Sequence, residues 1–238
     1  MKAILIIHGL VGSLYDNEYL MNYLEFDNTL KVFAKTLPGH HLSDNYQETN
    51  FNDWLKSTSN FLEEIIKYGY DDITVIGHSM GGVITGHLAS KYKEIKKIVL
   101  INSPFFYIKL KDTMIDLIMN KDYKEYLEIL TQKINTSIPF FLEFIKLVKS
   151  EQNCLKKINC DVLVLQSELD GIIPIENSRE IYNKLNSKNK YLTYFEKEKH
   201  IVFDGSQINI DRKLKNAEYI RLFIRGGLKW KKIWKEKI

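Results

Sequence analysis

The chain has 238 residues, 45% hydrophobic and 27% charged, the size and balance of one compact globular domain, which excludes an intrinsically disordered polymer. Its last ten residues, KWKKIWKEKI, hold five lysines and one glutamate and so carry the whole net charge of +4; the other 228 residues have 29 basic and 29 acidic side chains and offer no broad field to nucleic acid. Two cysteines, Cys154 and Cys160, exclude a disulfide framework and a four-ligand cysteine zinc site, and no run approaches the ~18 to 20 apolar residues of a membrane span.

Short β-branched runs alternate with amphipathic stretches, the rhythm of βαβ units around a parallel sheet. Strands are predicted over 3–7, 31–36, 73–77, 97–101, 162–166 and 190–195, with helices over 16–27, 52–68, 80–92, 177–186 and 211–224. The N-terminal run MKAILIIHGL is broken at His8, too short for a signal-peptide core and without a small-residue cleavage site. Together with the two unpaired cysteines, this predicts a cytoplasmic protein.

The first strand runs into His8-Gly9-Leu10-Val11-Gly12-Ser13, a turn at the carboxyl edge of the sheet, where a nucleophile would need a backbone N–H to receive its developing oxyanion. By position that donor is Leu10. The third strand runs into Gly77-His78-Ser79-Met80-Gly81-Gly82, a G-x-S-x-G pattern between a strand and a helix. Small residues flank Ser79 because a sharp strand-to-helix turn forces the chain past itself, and the turn lifts the hydroxyl above the sheet edge at a helix N-terminus. Met80, next in the chain, supplies the second oxyanion N–H.

After the fourth strand the rhythm breaks. Residues 104–159 contain no strand pattern, only helical stretches rich in large apolar side chains, and are expected to form a helical cap inserted into a core of residues 1–103 and 160–238. Phe105, Phe106, Tyr107, Met114, Ile118, Phe140, Phe141, Phe144 and Ile145 exceed what a small helical pair needs for packing. Packing is the first expectation for any one of them, and the segment as a whole favours an acyl or alkyl group over a sugar.

A serine hydroxyl needs a base, and the base needs a carboxylate to orient it. Asp170 follows the fifth strand and His200 the sixth, both at the carboxyl ends where open α/β sheets build their sites. Glu168 competes for the acid's role, but Asp170 lies further into the loop and precedes a turn-forming Gly171. Asp204 follows the histidine, the wrong order. Among the histidines, His8, His78 and His87 fall in or beside strand and helix segments and read as structural, while His40 and His41 lie in an early loop.

These motifs, together with LPGH at 37–40, Asp53-Trp54, Asn102-Ser103-Pro104 and Pro174, resemble those of α/β-hydrolase superfamily serine hydrolases, specifically small bacterial carboxylesterases and monoacylglycerol lipases. The resemblance covers almost the whole chain. It implies an α/β-hydrolase fold, with a mostly parallel sheet of about six strands flanked by helices and carrying a small helical cap. It further implies a Ser79, Asp170 and His200 triad with Leu10 and Met80 as oxyanion donors, and hydrolysis of short- to medium-chain acyl esters with no metal and no organic cofactor. The sequence departs from the pattern at His41, where a glycine often follows LPGH, and in lacking the antiparallel strands that larger members place before the first matching strand. Monoacylglycerol or lysophospholipid lipase and acyl thioesterase keep the same machinery. A serine aminopeptidase would need a carboxylate to hold an amine, a dehalogenase would need a carboxylate at position 79, and a non-catalytic binding protein on this scaffold would typically have lost a triad member. In the tail, Trp230, Ile233, Trp234 and Ile238 fall on one helical face opposite the lysines; such a helix either packs on the body or makes weak contact with an anionic membrane surface.

Overall fold

The computed structural model describes residues 1–40, 49–106 and 137–227. Six strands, β1 (Lys2–Ile7), β2 (Leu30–Ala34), β3 (Ile73–His78), β4 (Ile95–Ile101), β5 (Asp161–Ser167) and β6 (Lys190–Phe195), form one wholly parallel sheet in the order β2-β1-β3-β4-β5-β6. All six predicted strands are present, within two residues at each end. The helices between and after them are α1 (Glu18–Glu25), α2 (Phe51–Lys67), α3 (Met80–Ala89), α4 (Ile138–Glu151), α5 (Ile175–Lys184) and, following β6, α6 (Ile210–Arg225). The stretch predicted as a helix over 16–27 divides, with a 3-10 turn at Leu14–Asn17 leading into α1.

A parallel sheet is covered on both faces, so its strands are continuously apolar and their alternate residues serve two separate cores. On β1, Ala3, Leu5 and Ile7 face one core with Trp54 and Leu62 of α2, Val83 of α3 and Ile181 of α5, while Ile4 and Ile6 face the other with Leu20 and Leu24 of α1 and Ile220 and Phe223 of α6. β5 divides likewise: Val162 and Val164 join the first core, Leu163 and Leu165 the second. Gly77 pairs with Leu100, Ile101 with Leu165 and Ser167 with Phe195, so the turns that follow β3, β4, β5 and β6 leave the sheet side by side.

Of the expected cap, residues 107–136 lie outside the described residues, and so do Tyr107, Met114 and Ile118. The described part is α4 and a 3-10 turn at Cys154–Lys157. Ser137 caps α4, its Oγ accepting from the Phe140 N–H. Phe140, Phe141, Phe144 and Ile145 are buried in the first core, with Phe140 edge-on to Trp54 at 5.2 Å between ring centres. His41 and the basic tail at 229–238 also lie outside the described residues. No helix among the described residues is long and apolar enough to cross a membrane.

Candidate active site

Ser79 stands between β3 and α3 with φ +54° and ψ −122°, a conformation that costs a non-glycine residue energy and that its surroundings must enforce. They do so by close approach. A Cβ on Gly81 would run into the carbonyl oxygens of Ile7 and His8, and one on Gly77 into the carbonyl of Gly81, so α3 can start only where these two positions are bare. The Ser79 N–H donates to Ile101 O at 2.8 Å, tying the turn to the end of β4. Met80 is the first residue of α3 and fully buried.

The loop after β1 lies against this turn. A Cβ on Gly9 would come within 3.0 Å of Ser79 Cβ and 3.6 Å of its Oγ, so the Gly9 backbone lies against the Ser79 side chain. His8, fully buried, holds the loop in place: its Nε2 accepts from the Leu37 N–H at 3.0 Å, so its Nδ1 carries the proton and donates to Gly9 O at 2.8 Å. Leu10 follows on the loop, half-buried, and Val11 at φ +55° turns the chain so that the Gly12 N–H reaches Gly9 O. The Asp16 carboxyl folds back over Gly12, and burial pushes its pKa up while a Ser13 backbone hydrogen bond pulls it down.

Asp170 and His200 are brought together across the ends of β5 and β6. His200 Nδ1 and Asp170 Oδ2 are 2.8 Å apart, and the carboxylate is 1% exposed. Its other oxygen, Oδ1, accepts from the N–H groups of Ile172 and Ile173 at 2.8 and 2.9 Å, which fixes the carboxylate through its own loop. With both carboxylate oxygens placed as acceptors, His200 Nδ1 is the donor of the pair and the Nε2 lone pair is left to accept. Glu168, the competing acid, is exposed.

The His200 loop is secured from two sides. Towards α6, the buried Glu198 carboxylate accepts from Arg212 Nε at 3.0 Å and Asn216 Nδ2 at 3.3 Å, and the buried Lys213 ammonium donates to Asp204 O and Ser206 O, both at 2.8 Å. Towards the sheet, the His200 carbonyl accepts from Asn102 Nδ2 and from His78 Nε2, each at 2.8 Å, and the His78 and His200 rings are 5.0 Å apart centre to centre. Burial, with His200 beside it, pushes His78 down to about 3, so its ring is neutral with the proton on Nε2. Glu198, Lys213, and the contacts of Asn102 and His78 escaped the sequence reading. Only Asn102 carried a signal, as a polar residue at the carboxyl end of a strand. Among the described residues no three His, Cys, Asp or Glu side chains are grouped to hold a metal ion.

Comparison with known proteins agrees with this architecture. The chain is 26% identical over 212 residues to a carboxylesterase of Bacillus subtilis (strain 168), covering 84% of this chain and 85% of that protein. It is 26% identical over 218 residues to a thermostable monoacylglycerol lipase of Bacillus sp. (strain H-257), covering 84% and 82%. A solved structure of the metagenome-derived lipolytic enzymes LipS and LipT superposes with a TM-score of 0.73 at 21% identity over 94% of both chains, a likeness of fold. Residues 2–128, more than half of the sequence, match the family model described as the alpha/beta hydrolase fold, and with the parallel sheet and strand-end loops described above the chain belongs to the α/β-hydrolase fold family.

Proposed function

We propose that the protein is a serine hydrolase that cleaves carboxylic esters through an acyl-enzyme, with Ser79 as nucleophile, His200 as general base and acid, and Asp170 as the carboxylate that orients it. The observation that carries this reading is the 2.8 Å contact between His200 Nδ1 and a buried Asp170 carboxylate, on a loop clamped beside a strained Ser79. His200 Nε2 takes the hydroxyl proton as Ser79 Oγ attacks the ester carbonyl. The backbone N–H groups of Leu10 and Met80 receive the oxyanion, the latter at the N-terminus of α3. His200 then protonates the departing alcohol, and water, deprotonated by the same imidazole, releases the acid.

The carboxylesterase and monoacylglycerol lipase relatives support an ester as substrate, and the apolar side chains of residues 104–159 support a short- to medium-chain acyl group. The lipase relative favours one second reading, a monoacylglycerol or lysophospholipid lipase using the same residues. An acyl thioesterase would do so as well. The free thiols of the buried Cys154 and the half-buried Cys160, pushed up by desolvation and so poorly reactive, suit a protein of the reducing cytoplasm.

Labelling by a fluorophosphonate probe tests the reading. The full chain should label, and Ser79→Ala should abolish labelling and lower kcat on p-nitrophenyl esters by at least about 10³-fold. Labelling that persists in Ser79→Ala would remove Ser79 from the chemistry. A series of p-nitrophenyl esters of rising chain length, set beside monoacylglycerols and acyl thioesters, ranks the substrate classes by kcat/KM.

A further inference from the structure

Asn102, the residue after the end of β4, takes no step in the proposed reaction, yet it is fully buried at φ +48°. Side chains other than glycine's avoid this left-handed region, asparagine least of all. Glycine would satisfy the turn at no steric cost. Asparagine adds a side chain with three hydrogen bonds that glycine lacks: Nδ2 donates to His200 O at 2.8 Å and to Ser167 Oγ at 3.0 Å, and Oδ1 accepts from the Ser167 N–H at 2.7 Å. Its own N–H donates to Leu165 O at 2.9 Å, and Ile101 just before it receives the Ser79 N–H. One residue thus touches the turn that bears the acid and the loop that bears the base, one peptide from the turn that bears the nucleophile.

We propose that Asn102 is a positioning residue for the general base, acting with His78 as a pair of donors that clamps the His200 carbonyl. The inference rests on the reading of His200 as that base. Asp170 holds the His200 ring at one nitrogen only, and a ring held at a single point pivots unless its backbone is fixed. Two N–H donors on one carbonyl occupy both lone pairs and fix the orientation of the peptide plane. Nε2 lies at the far tip of the side chain, so a backbone rotation of about 10° would carry it by about 1 Å, a misplacement of the size that costs about 10²-fold in rate. His78 serves as a donor by geometry: its Nε2 meets the His200 carbonyl at 2.8 Å while its Nδ1 finds no hydrogen-bond partner among the described residues, so the one proton of the buried neutral ring sits on Nε2.

The full chain with Asn102→Gly, Asn102→Asp and His200→Ala, assayed on p-nitrophenyl acetate with Tm recorded, tests the inference. Glycine accepts the left-handed turn and removes the donor; aspartate keeps the shape and the acceptor for Ser167 but turns the donor facing His200 O into an acceptor. Both are expected to lower kcat about 10²-fold with KM within about threefold, out of proportion to any fall in Tm. Folded Asn102 variants with kcat within about threefold of the parent would overturn the proposal, provided His200→Ala has lost activity; an active His200→Ala would instead refute His200 as base. If neither Asn102 variant folds, His78→Gln and His78→Leu repeat the test from the other donor: glutamine should retain most of the kcat that leucine loses. Equal kcat in that pair, or failure of all four variants to fold, would confine both residues to the stability of the sheet edge and overturn the clamp.

Discussion

Asp170 and Glu168 are two residues apart and differ in what their oxygens meet. Asp170 Oδ1 is taken by two loop N–H groups and Oδ2 by His200, whereas Glu168 is exposed. Asp170→Asn preserves the shape and an acceptor for the loop, but it presents an amide to His200 Nδ1 and so favours the tautomer with its proton on Nε2, where it cannot accept from Ser79. We expect kcat to fall by about 10³- to 10⁴-fold with KM little changed, and Glu168→Gln to stay within about threefold, both read from steady-state ester hydrolysis. His78 yields a prediction of a different kind. Its pKa in the folded chain is about 3, against 6.5 for an unperturbed histidine, so below about pH 6.5 the unfolded chain binds a proton that the folded chain refuses. Stability from this group is therefore complete above about pH 6.5 and falls by about 1.4 kcal/mol per pH unit down to about pH 3. Urea titrations at pH 7 and pH 5 should show a smaller loss for His78→Gln than for the parent chain, and parallel losses would refute the linkage.

At the scale of elements, α4 is joined to α3 by polar as well as apolar contacts. His87 Nδ1 of α3 lies 2.8 Å from Glu151 Oε2 at the end of α4, with both side chains less than 15% exposed. Burial alone would raise the Glu151 carboxyl; His87, by hydrogen bond and by charge, together with Ser150 and Lys91, outweighs it and leaves the group below its ordinary range. A lowered folded-state pKa means that the contact stabilises above the unfolded carboxyl's pKa and is lost as pH falls through the folded one. Glu151→Ala should cost about 1–3 kcal/mol near pH 7, and the difference from the parent should shrink only below the ordinary carboxyl pKa of about 4.3, as read by urea unfolding at about pH 7 and about pH 3. The pair was not legible in the sequence, where His87 is one polar residue on an apolar helix. The strands were legible because a sheet covered on both faces needs uninterrupted runs such as KAILII and DVLVLQS, and the turn at Ser79 because its glycines answer to backbone atoms that permit nothing larger. Asp170 and His200 could be read from their places after β5 and β6. The hydrogen bonds that hold them could not, since Asn102 reaches His200 across a separation that only the folded sheet closes, and Glu198 and Lys213 act only once the loop after β6 has folded back on α6.

For the whole molecule, the distribution of charge separates the residues proposed for the chemistry from their surroundings. All of the net charge of +4 resides in residues 229–238, while Ser79, Asp170, His200 and the groups that hold them belong to a remainder with equal numbers of acidic and basic side chains. The fold also closes before the tail. Ile220, Phe223 and Ile224 of α6 are buried against the sheet, and the helix ends at Gly226 in the left-handed conformation, with the Gly227 N–H donating to Leu222 O at 3.0 Å. Removing residues 229–238 should therefore leave kcat/KM on a soluble short-chain ester within about twofold, because the proposed catalytic residues belong to the neutral remainder and the last helix cap is complete before the tail. The same pair of proteins separates the two readings of the tail. If its Trp face packs on the body, the full chain and the truncated chain will sediment equally with phosphatidylserine vesicles, and truncation will lower Tm. If the lysines meet an anionic surface, sedimentation will fall with truncation and with added salt while activity on the soluble ester holds, since counterions screen such contacts over roughly 10 Å at 0.1 M.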